Sequence, residues 1–134
     1  MCWFYKDKEV TDEDIEDWTA FVYLITNNIN GKKYIGKKLF QFTKSKKLKG
    51  ATRRTKVKTD SGWKNYFGSN KMLQADVLKY GPDKFKREIL HFCKTKGTAN
   101  YLEVKEQIMH NALEDPEFYN DWIMVKVARS HIKL

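Results

Sequence analysis

Two stretches of β-branched and aromatic residues, joined by a turn-forming segment, are the feature that most constrains the fold. The first stretch, residues 21–26, reads FVYLIT, and such residues favour a β-strand. The second stretch begins at Lys33 and reads KYI. Between them the Asn30-Gly31 pair suits the positive backbone angles of a tight turn. The sequence therefore predicts an antiparallel β-hairpin.

Further helix and strand signals follow the hairpin. Ser69 or Asn70 can cap a helix over Lys71–Tyr80, and a Gly-Pro pair ends it. The segment FKREILHFC at residues 85–93 predicts a third strand, and residues 98–113 predict a second helix. Together these signals predict an α/β fold, in which a small central antiparallel sheet of three strands is flanked by helices.

Charge is strongly positive overall and unevenly distributed along the chain. The net charge is +9 and the pI is near 9.5, which favours a polyanionic partner, nucleic acid first. Residues 7–17 contain seven acids, whereas residues 32–58 contain twelve Lys or Arg and no acid. We therefore expect an acidic N-terminal arm at residues 1–19, with a short helix, and a main domain at residues 20–134. A long basic loop is expected at residues 41–62.

Several function classes are disfavoured by what the sequence lacks. No apolar run approaches the roughly 18 residues that a membrane-spanning helix needs, so we expect no membrane association. Cys2 and Cys93 are far apart and match no metal-ligand spacing. We expect Cys93 to be a buried thiol, in an intracellular, cytoplasmic and reducing setting.

Tyr23 and Tyr34 are the candidate catalytic pair. Side chains on one face of a hairpin approach within about 5 Å at Cβ, so two phenols could converge on one phosphate. A phenol can orient a water molecule, or accept its proton where a nearby cation lowers the phenol pKa. Gly36 leaves room for a substrate backbone to approach. The alternative is that both are ordinary strand tyrosines with hydrogen-bonded hydroxyls.

Glu106 is the candidate metal ligand. On the predicted second helix it lies in or beside an apolar stripe formed by Leu102, Met109 and Leu113, whereas Glu103 points further out. A carboxylate on an apolar face is costly unless a partner neutralises it. Mg²⁺ commonly binds one carboxylate together with waters and substrate phosphate oxygens. The alternative is a boundary glutamate paired with a lysine.

These residues resemble the motif of the GIY-YIG nucleases, most closely the phage-encoded SegE-like branch. Phe21-Val22-Tyr23 stands where that family has Gly-Ile-Tyr, and Tyr34-Ile35-Gly36 matches the second half of the motif, with the two tyrosines 11 residues apart. The resemblance implies an endonuclease that hydrolyses DNA with Mg²⁺ or Mn²⁺. It also implies that Glu106 binds the metal and that Asn120 supports the site by hydrogen bonding.

The sequence departs from the family pattern at the arginine that holds the scissile phosphate, because Lys44 stands at that position. We expect Lys38 to take over this role, since it directly follows the motif strand. Other basic residues are expected to bind DNA phosphates: Lys37, Lys44, Lys46, Lys47, Arg53, Arg54 and Lys56. One such site cuts one strand, so double-strand cutting would need a homodimer or two successive events.

Two other functions fit the sequence. The first is a nucleic-acid-binding protein without catalysis that uses the basic loop as a clamp, and the missing arginine favours it. The second is a protein-interaction module whose acidic arm inhibits a basic partner. No zinc-finger or helix-turn-helix pattern is present, so the sequence indicates no target site.

Overall fold

The structure, a computed structural model, describes residues 2–47, 49–50, 53–123 and 125–134. This described part of the chain contains seven strands and two α-helices, which in chain order are β1 (Trp3–Tyr5), β2 (Lys8–Glu9), β3 (Ala20–Asn27), β4 (Lys33–Leu39), β5 (Gln41–Lys47), β6 (Arg54–Asp60), α1 (Lys71–Tyr80), β7 (Phe85–Cys93) and α2 (Lys96–Met109). Neither helix in these ranges is both long and apolar enough to cross a bilayer.

Five of the strands form one mixed sheet in the order β2-β1-β7-β3-β4. Strand β3 pairs antiparallel with both β4 and β7, whereas β1 runs parallel to β7. The α/β class is confirmed, but the prediction of a sheet with three antiparallel strands was wrong. β1 and β2 contain only three and two residues, which is too short for an alternating pattern to reveal a strand.

The two helices cover opposite faces of the sheet. Side chains alternate along β3, so Phe21, Tyr23 and Ile25 pack in the apolar cluster that includes α1. Ala20 and Val22 pack in the cluster that includes α2. This arrangement buries β3 on both sides and makes it the centre of the domain.

Capping side chains fix where both helices begin. The Asn70 side chain accepts a hydrogen bond from the Leu73 N–H at 3.0 Å, and α1 has the predicted bounds. Helix α2 lies closer to the N-terminus than predicted, because Thr95 caps it by accepting from the Thr98 N–H at 3.1 Å. It ends before Asn111, whose φ of 54° is not helical.

The acidic N-terminal segment is not helical, so the prediction of a short helix there was wrong. Residues 12–17 form successive turns, and the preceding residues provide β1 and β2 of the main sheet. The Val10 N–H donates to the Trp3 carbonyl at 2.9 Å, which ties the segment to β1. Acids three and four residues apart would repel one another along a helix, and this disfavours the predicted conformation.

The prediction of a basic loop at residues 41–62 was also wrong. Strands β5 and β6 pair antiparallel over seven residues each and form a separate two-stranded sheet, which we call the basic ribbon. Its β6 strand alternates cations with Thr55, Val57 and Thr59, and Thr and Val favour strands. The described side chains of β6 are exposed, so the ribbon lacks the apolar face by which a strand is usually recognised.

Candidate active site

The hairpin of β3 and β4 brings the two motif tyrosines to one face of the sheet. Tyr23 lies opposite Gly36 and Tyr34 lies opposite Ile25, so both phenol rings project toward the α1 side. Their ring centroids are 6.1 Å apart. The structure therefore places the tyrosines together, as the sequence predicted.

Gly36 is the position that allows this convergence. A Cβ atom added there would lie 2.6 Å from Tyr23 Cζ and 2.9 Å from Tyr34 Cε2, and it would meet the Tyr23 hydroxyl at a shorter distance still. Both rings thus occupy the space that a side chain would need. The glycine therefore makes room for the tyrosine pair, and the approach of a substrate backbone at this position stays a prediction.

Tyr23 is fully buried in an aromatic environment. Its ring packs edge-on against Trp3 of β1 at 5.3 Å, and its hydroxyl donates to the Tyr66 hydroxyl at 3.4 Å. Burial raises the pKa of Tyr23 well above its ordinary value, and Tyr66, Tyr34 and Glu103 raise it further. Burial also raises the pKa of Tyr34, although a hydrogen bond with Ser69 opposes that shift. Both phenols therefore remain protonated near neutral pH.

A cavity of about 680 Å³ opens beside the two phenols. Its walls come from β3, β4, the start of α1, the middle of α2 and the segment after Tyr119. The lining residues are Tyr23, Tyr34, Lys37, Ser69, Asn70, Lys71, Met72, Glu103, Gln107, Asn120, Asp121, Trp122 and Ile123. We call this cavity the tyrosine cleft.

Glu103 is the α2 carboxylate that reaches the tyrosine cleft. It lies at the β4 edge of the sheet, where its carboxylate is 3.5 Å from Lys37 Nζ. Its side chain is 18% exposed, and burial raises its pKa, which the neighbouring Lys37 partly offsets. A partly buried carboxylate beside two phenols is the arrangement that the sequence assigned to Glu106.

Glu106 does not line the tyrosine cleft. Its carboxylate is 2.8 Å from His91 Nε2 on β7 and 3.3 Å from His110 Nδ1. Glu103 and Glu106 are about 60° apart on the helix, and both lie beside its buried face. Met109 and Leu113, which the prediction used to define the apolar stripe, are exposed in the structure. Helical periodicity pointed to Glu106, but the flank of α2 that faces the cleft carries Glu103.

Asn120 holds the outer edge of β4. The Ile35 N–H donates to Asn120 Oδ1 at 3.0 Å, and Asn120 Nδ2 donates back to the Ile35 carbonyl at 2.8 Å. The Gln107 side chain also donates to that carbonyl at 3.0 Å. Because Ile35 lies between Tyr34 and Gly36, these bonds fix the strand that carries half of the tyrosine pair. Sequence analysis missed Gln107.

Two lysines of β4 lie near the tyrosine pair. Lys38 Nζ lies 4.4 Å from the centroid of the Tyr66 ring, whose hydroxyl contacts Tyr23, while Lys37 lines the tyrosine cleft. Arg53 is exposed next to the basic ribbon. The remaining predicted DNA-binding side chains lie outside the part of the chain that the structure describes: Lys44, Lys46, Lys47, Arg54 and Lys56.

Arg87 of β7 is a buried arginine that sequence analysis overlooked, and it holds the segment that carries Tyr66. The Arg87 guanidinium donates to the carbonyls of Lys64 and Tyr66 at 2.8 and 2.9 Å. It lies 4.8 Å from the Trp3 ring and 4.2 Å from the Phe67 ring, and burial lowers its pKa to about 10. These contacts position Tyr66 against Tyr23. No local sequence pattern indicates this role, because the two bonds link residues that are 23 and 21 positions apart.

The chain is similar to a known protein family over most of its length. Residues 3–123 match the family model described as "Putative endonuclease segE, GIY-YIG domain". This chain belongs to the SegE-type GIY-YIG family. Over 100 residues, which is 75% of the chain, it is also 36% identical to "Putative endonuclease segE" of Enterobacteria phage T4. That alignment spans 39% of the relative's length. No solved structure matches significantly.

The matched family model is described as a "Putative endonuclease" domain. The observed fold is a mixed sheet with helices on both faces, which agrees with a GIY-YIG domain. The family assignment therefore agrees with the resemblance that the two tyrosine motifs indicated.

Proposed function

We propose that this chain hydrolyses DNA phosphodiester bonds in the tyrosine cleft, with Tyr23, Tyr34 and Glu103 around the reacting phosphate. The observation that carries this proposal is the convergence of two phenols and one carboxylate, from three different elements, on one cavity. Tyr23 is fully buried and the Glu103 side chain is only 18% exposed, so both groups are shielded from water. Poorly solvated groups interact more strongly with a charged substrate than exposed ones do.

The cleft has a donor set that fits a magnesium or manganese ion. Glu103 supplies one partly buried carboxylate and Asp121 supplies a second one at the same cavity. Mg²⁺ usually binds one or two carboxylates and keeps several waters, which substrate phosphate oxygens can replace. Among the described residues no cluster of three His, Cys, Asp or Glu could hold a metal ion. A site completed by water and phosphate is consistent with that finding.

Glu103 therefore replaces Glu106 as the proposed metal ligand. The Glu106 carboxylate already contacts two histidines, whereas Glu103 faces the cleft and is balanced by Lys37. A divalent cation at this position would polarise the phosphate and stabilise the leaving oxygen. The Lys37 ammonium would then be released to pair with a phosphate oxygen of the DNA.

The phenols act as hydrogen-bond donors and not as bases in this proposal. A phenol with a raised pKa keeps its proton near neutral pH, so it can donate to a phosphate oxygen or orient the attacking water. In the structure, the Tyr23 hydroxyl donates to Tyr66 and the Tyr34 hydroxyl bonds with Ser69, so a phenol that donates to the substrate would exchange its present bond for the new one. The sequence allowed the tyrosines either to orient a water molecule or to accept its proton, and the proposal keeps only the first of these roles.

Lys38 is the proposed substitute for the family arginine. Its ammonium lies over the Tyr66 ring, one ring away from the buried Tyr23, and would balance negative charge on the phosphate. A lysine offers a point charge where an arginine offers two parallel hydrogen bonds. We expect it to stabilise the transition state less specifically than an arginine would.

The basic ribbon is the proposed DNA-binding arm. Residues 41–60 contain eight Lys or Arg and one acid, Asp60, and within them β5 and β6 form the two-stranded ribbon. A two-stranded ribbon fits the major groove of B-DNA, and its cations would neutralise phosphates on either side. The ribbon follows β4 after a single residue, Phe40, so DNA bound to it would pass close to the tyrosines.

Nicking of supercoiled plasmid with and without Mg²⁺ tests the proposed function. We expect the wild-type protein to nick only with the metal, and we expect Tyr34→Phe to lower the rate at least about 100-fold. Tyr80→Phe is the matched control, since Tyr80 lies at the end of α1 and does not line the cleft. DNA binding without metal-dependent nicking would instead support a binding protein that lacks catalysis.

A further inference from the structure

Two large apolar side chains are exposed at the tyrosine cleft. Trp122 is 64% exposed and Met72 is 63% exposed, and both line the cavity together with Ile123. By contrast, Trp3 and Trp63 are each 1% exposed in the core. Apolar side chains that are grouped and exposed at one cavity are typical of a ligand-binding surface.

We propose that Trp122 stacks on an unpaired nucleobase of the DNA strand whose phosphate lies at Tyr23, Tyr34 and Glu103. This inference rests on the proposed function and concerns the DNA at the cleft only, where a duplex held by the basic ribbon would have to be locally unpaired. The carboxylates of Glu103 and Asp121 repel a phosphate until a cation binds. Stacking on an aromatic ring does not depend on that charge, so it supplies affinity where the carboxylates reduce it.

Hydrogen bonds at Tyr119 and Asn120 anchor the chain just before Trp122 and limit how far the indole can lie from the tyrosines. Asn120 is held by its two hydrogen bonds to Ile35, and the Asn70 side chain donates to the Tyr119 carbonyl at 2.9 Å. Two residues of extended chain span at most about 7 Å. Trp122 therefore lies on the order of one or two nucleotides from the tyrosines.

The geometry selects an unpaired base. In duplex DNA each base is covered on both faces by its neighbours, so an indole cannot reach a face without opening the stack. A single strand, a gap or a frayed end presents such a face directly. Met72 contributes a second apolar contact on the α1 side of the cleft.

The test compares the affinities of a 12-nucleotide single strand and a fully paired duplex of equal length. Binding is measured in EDTA so that cleavage does not interfere. We expect Trp122→Ala to weaken single-strand binding by about 5- to 100-fold and duplex binding by less than about 2-fold. Trp122→Phe, which keeps an aromatic face, should recover most of the loss.

Leu78→Ala is the matched control, because Leu78 is 88% exposed on α1 and does not line the cleft. We expect this variant to bind both probes as the wild type does. Equal losses on both probes with Trp122→Ala, or no loss on either, would overturn the stacking role. Capture of a second copy of the chain by the Trp122 surface would give a concentration-dependent mass instead, and would also overturn it.

Failure of this inference is distinguishable from failure of the proposed function. A wild-type protein that nicks plasmid, with a Trp122→Ala variant that binds single strands normally, would remove the stacking role alone. A wild-type protein whose single-strand affinity depends on Trp122 but which never nicks would remove the nuclease role alone.

Discussion

Replacing Gly36 with alanine should disrupt the tyrosine pair while leaving the hairpin intact. The new Cβ would lie 2.6 Å from Tyr23 Cζ, whereas ordinary contact begins at 3.4 Å, so the ring must move by about 0.8 Å. Tyr23 is fully buried and has rings on several sides, including Trp3 at 5.3 Å and Tyr66 at 5.8 Å. Overpacking of this kind costs about 1–3 kcal/mol.

Gly36→Ala should lower both the thermal stability and the nicking rate. Unfolding entropy near 2.1 cal/mol/K per residue gives about 0.28 kcal/mol/K for 134 residues. A loss of 1–3 kcal/mol therefore lowers Tm by about 4–11 °C. Displacement of a catalytic group by close to 1 Å costs on the order of 100-fold in rate. Plasmid nicking and thermal unfolding of the same preparation measure both quantities.

Gly31→Ala is the control for this experiment. Gly31 lies in the same hairpin with φ of 77°, and an added Cβ would meet no atom within 4 Å. The positive φ costs about 1–2 kcal/mol, so this variant should lose similar stability without moving either phenol. The reasoning fails if Gly36→Ala nicks at the wild-type rate, or if both variants lose the same activity.

Three further predictions concern residues around the site. Asn120→Ala removes both hydrogen bonds to the Ile35 backbone and should lower the free energy of unfolding by about 1–3 kcal/mol, measured by urea denaturation; an unchanged midpoint would contradict the edge-holding role. Arg87→Met leaves the carbonyls of Lys64 and Tyr66 without their donor and should cost about 2–4 kcal/mol, and the nicking rate of the still-folded protein should fall because Tyr66 loses its position. Cys93 is 1% exposed and burial raises its pKa to about 11, so at pH 8 its thiol stays protonated and iodoacetamide should modify Cys2 first; rapid labelling of Cys93 in the native protein, detected by mass spectrometry, would count against this burial.

The local elements were predictable because their signals are short-range. The β-branched residues of β3, the Asn30-Gly31 turn and the Asn70 cap each determine structure within a few residues of themselves. The same is true of the tyrosine pair, because hairpin register alone places Tyr23 and Tyr34 on one face. These parts of the site follow from side-chain alternation and turn chemistry.

The remaining features depend on long-range packing. β1 has only three residues, and its parallel pairing with the distant strand β7 places Trp3 against Tyr23. The choice between Glu103 and Glu106 depends on which flank of α2 meets β4, and helical periodicity does not specify that flank. The basic ribbon was missed because its strands pair without an apolar face.

In the proposed site Glu103, and not Glu106, acts together with the two tyrosines. A matched pair of variants, Glu103→Gln and Glu106→Gln, tests it most directly in a plasmid-nicking assay with Mg²⁺, with DNA affinity measured separately in EDTA. We predict that Glu103→Gln loses nicking by at least about 100-fold and keeps or gains DNA affinity, while Glu106→Gln nicks within a few-fold of the wild type. Loss of nicking in Glu106→Gln with normal nicking in Glu103→Gln would contradict the account.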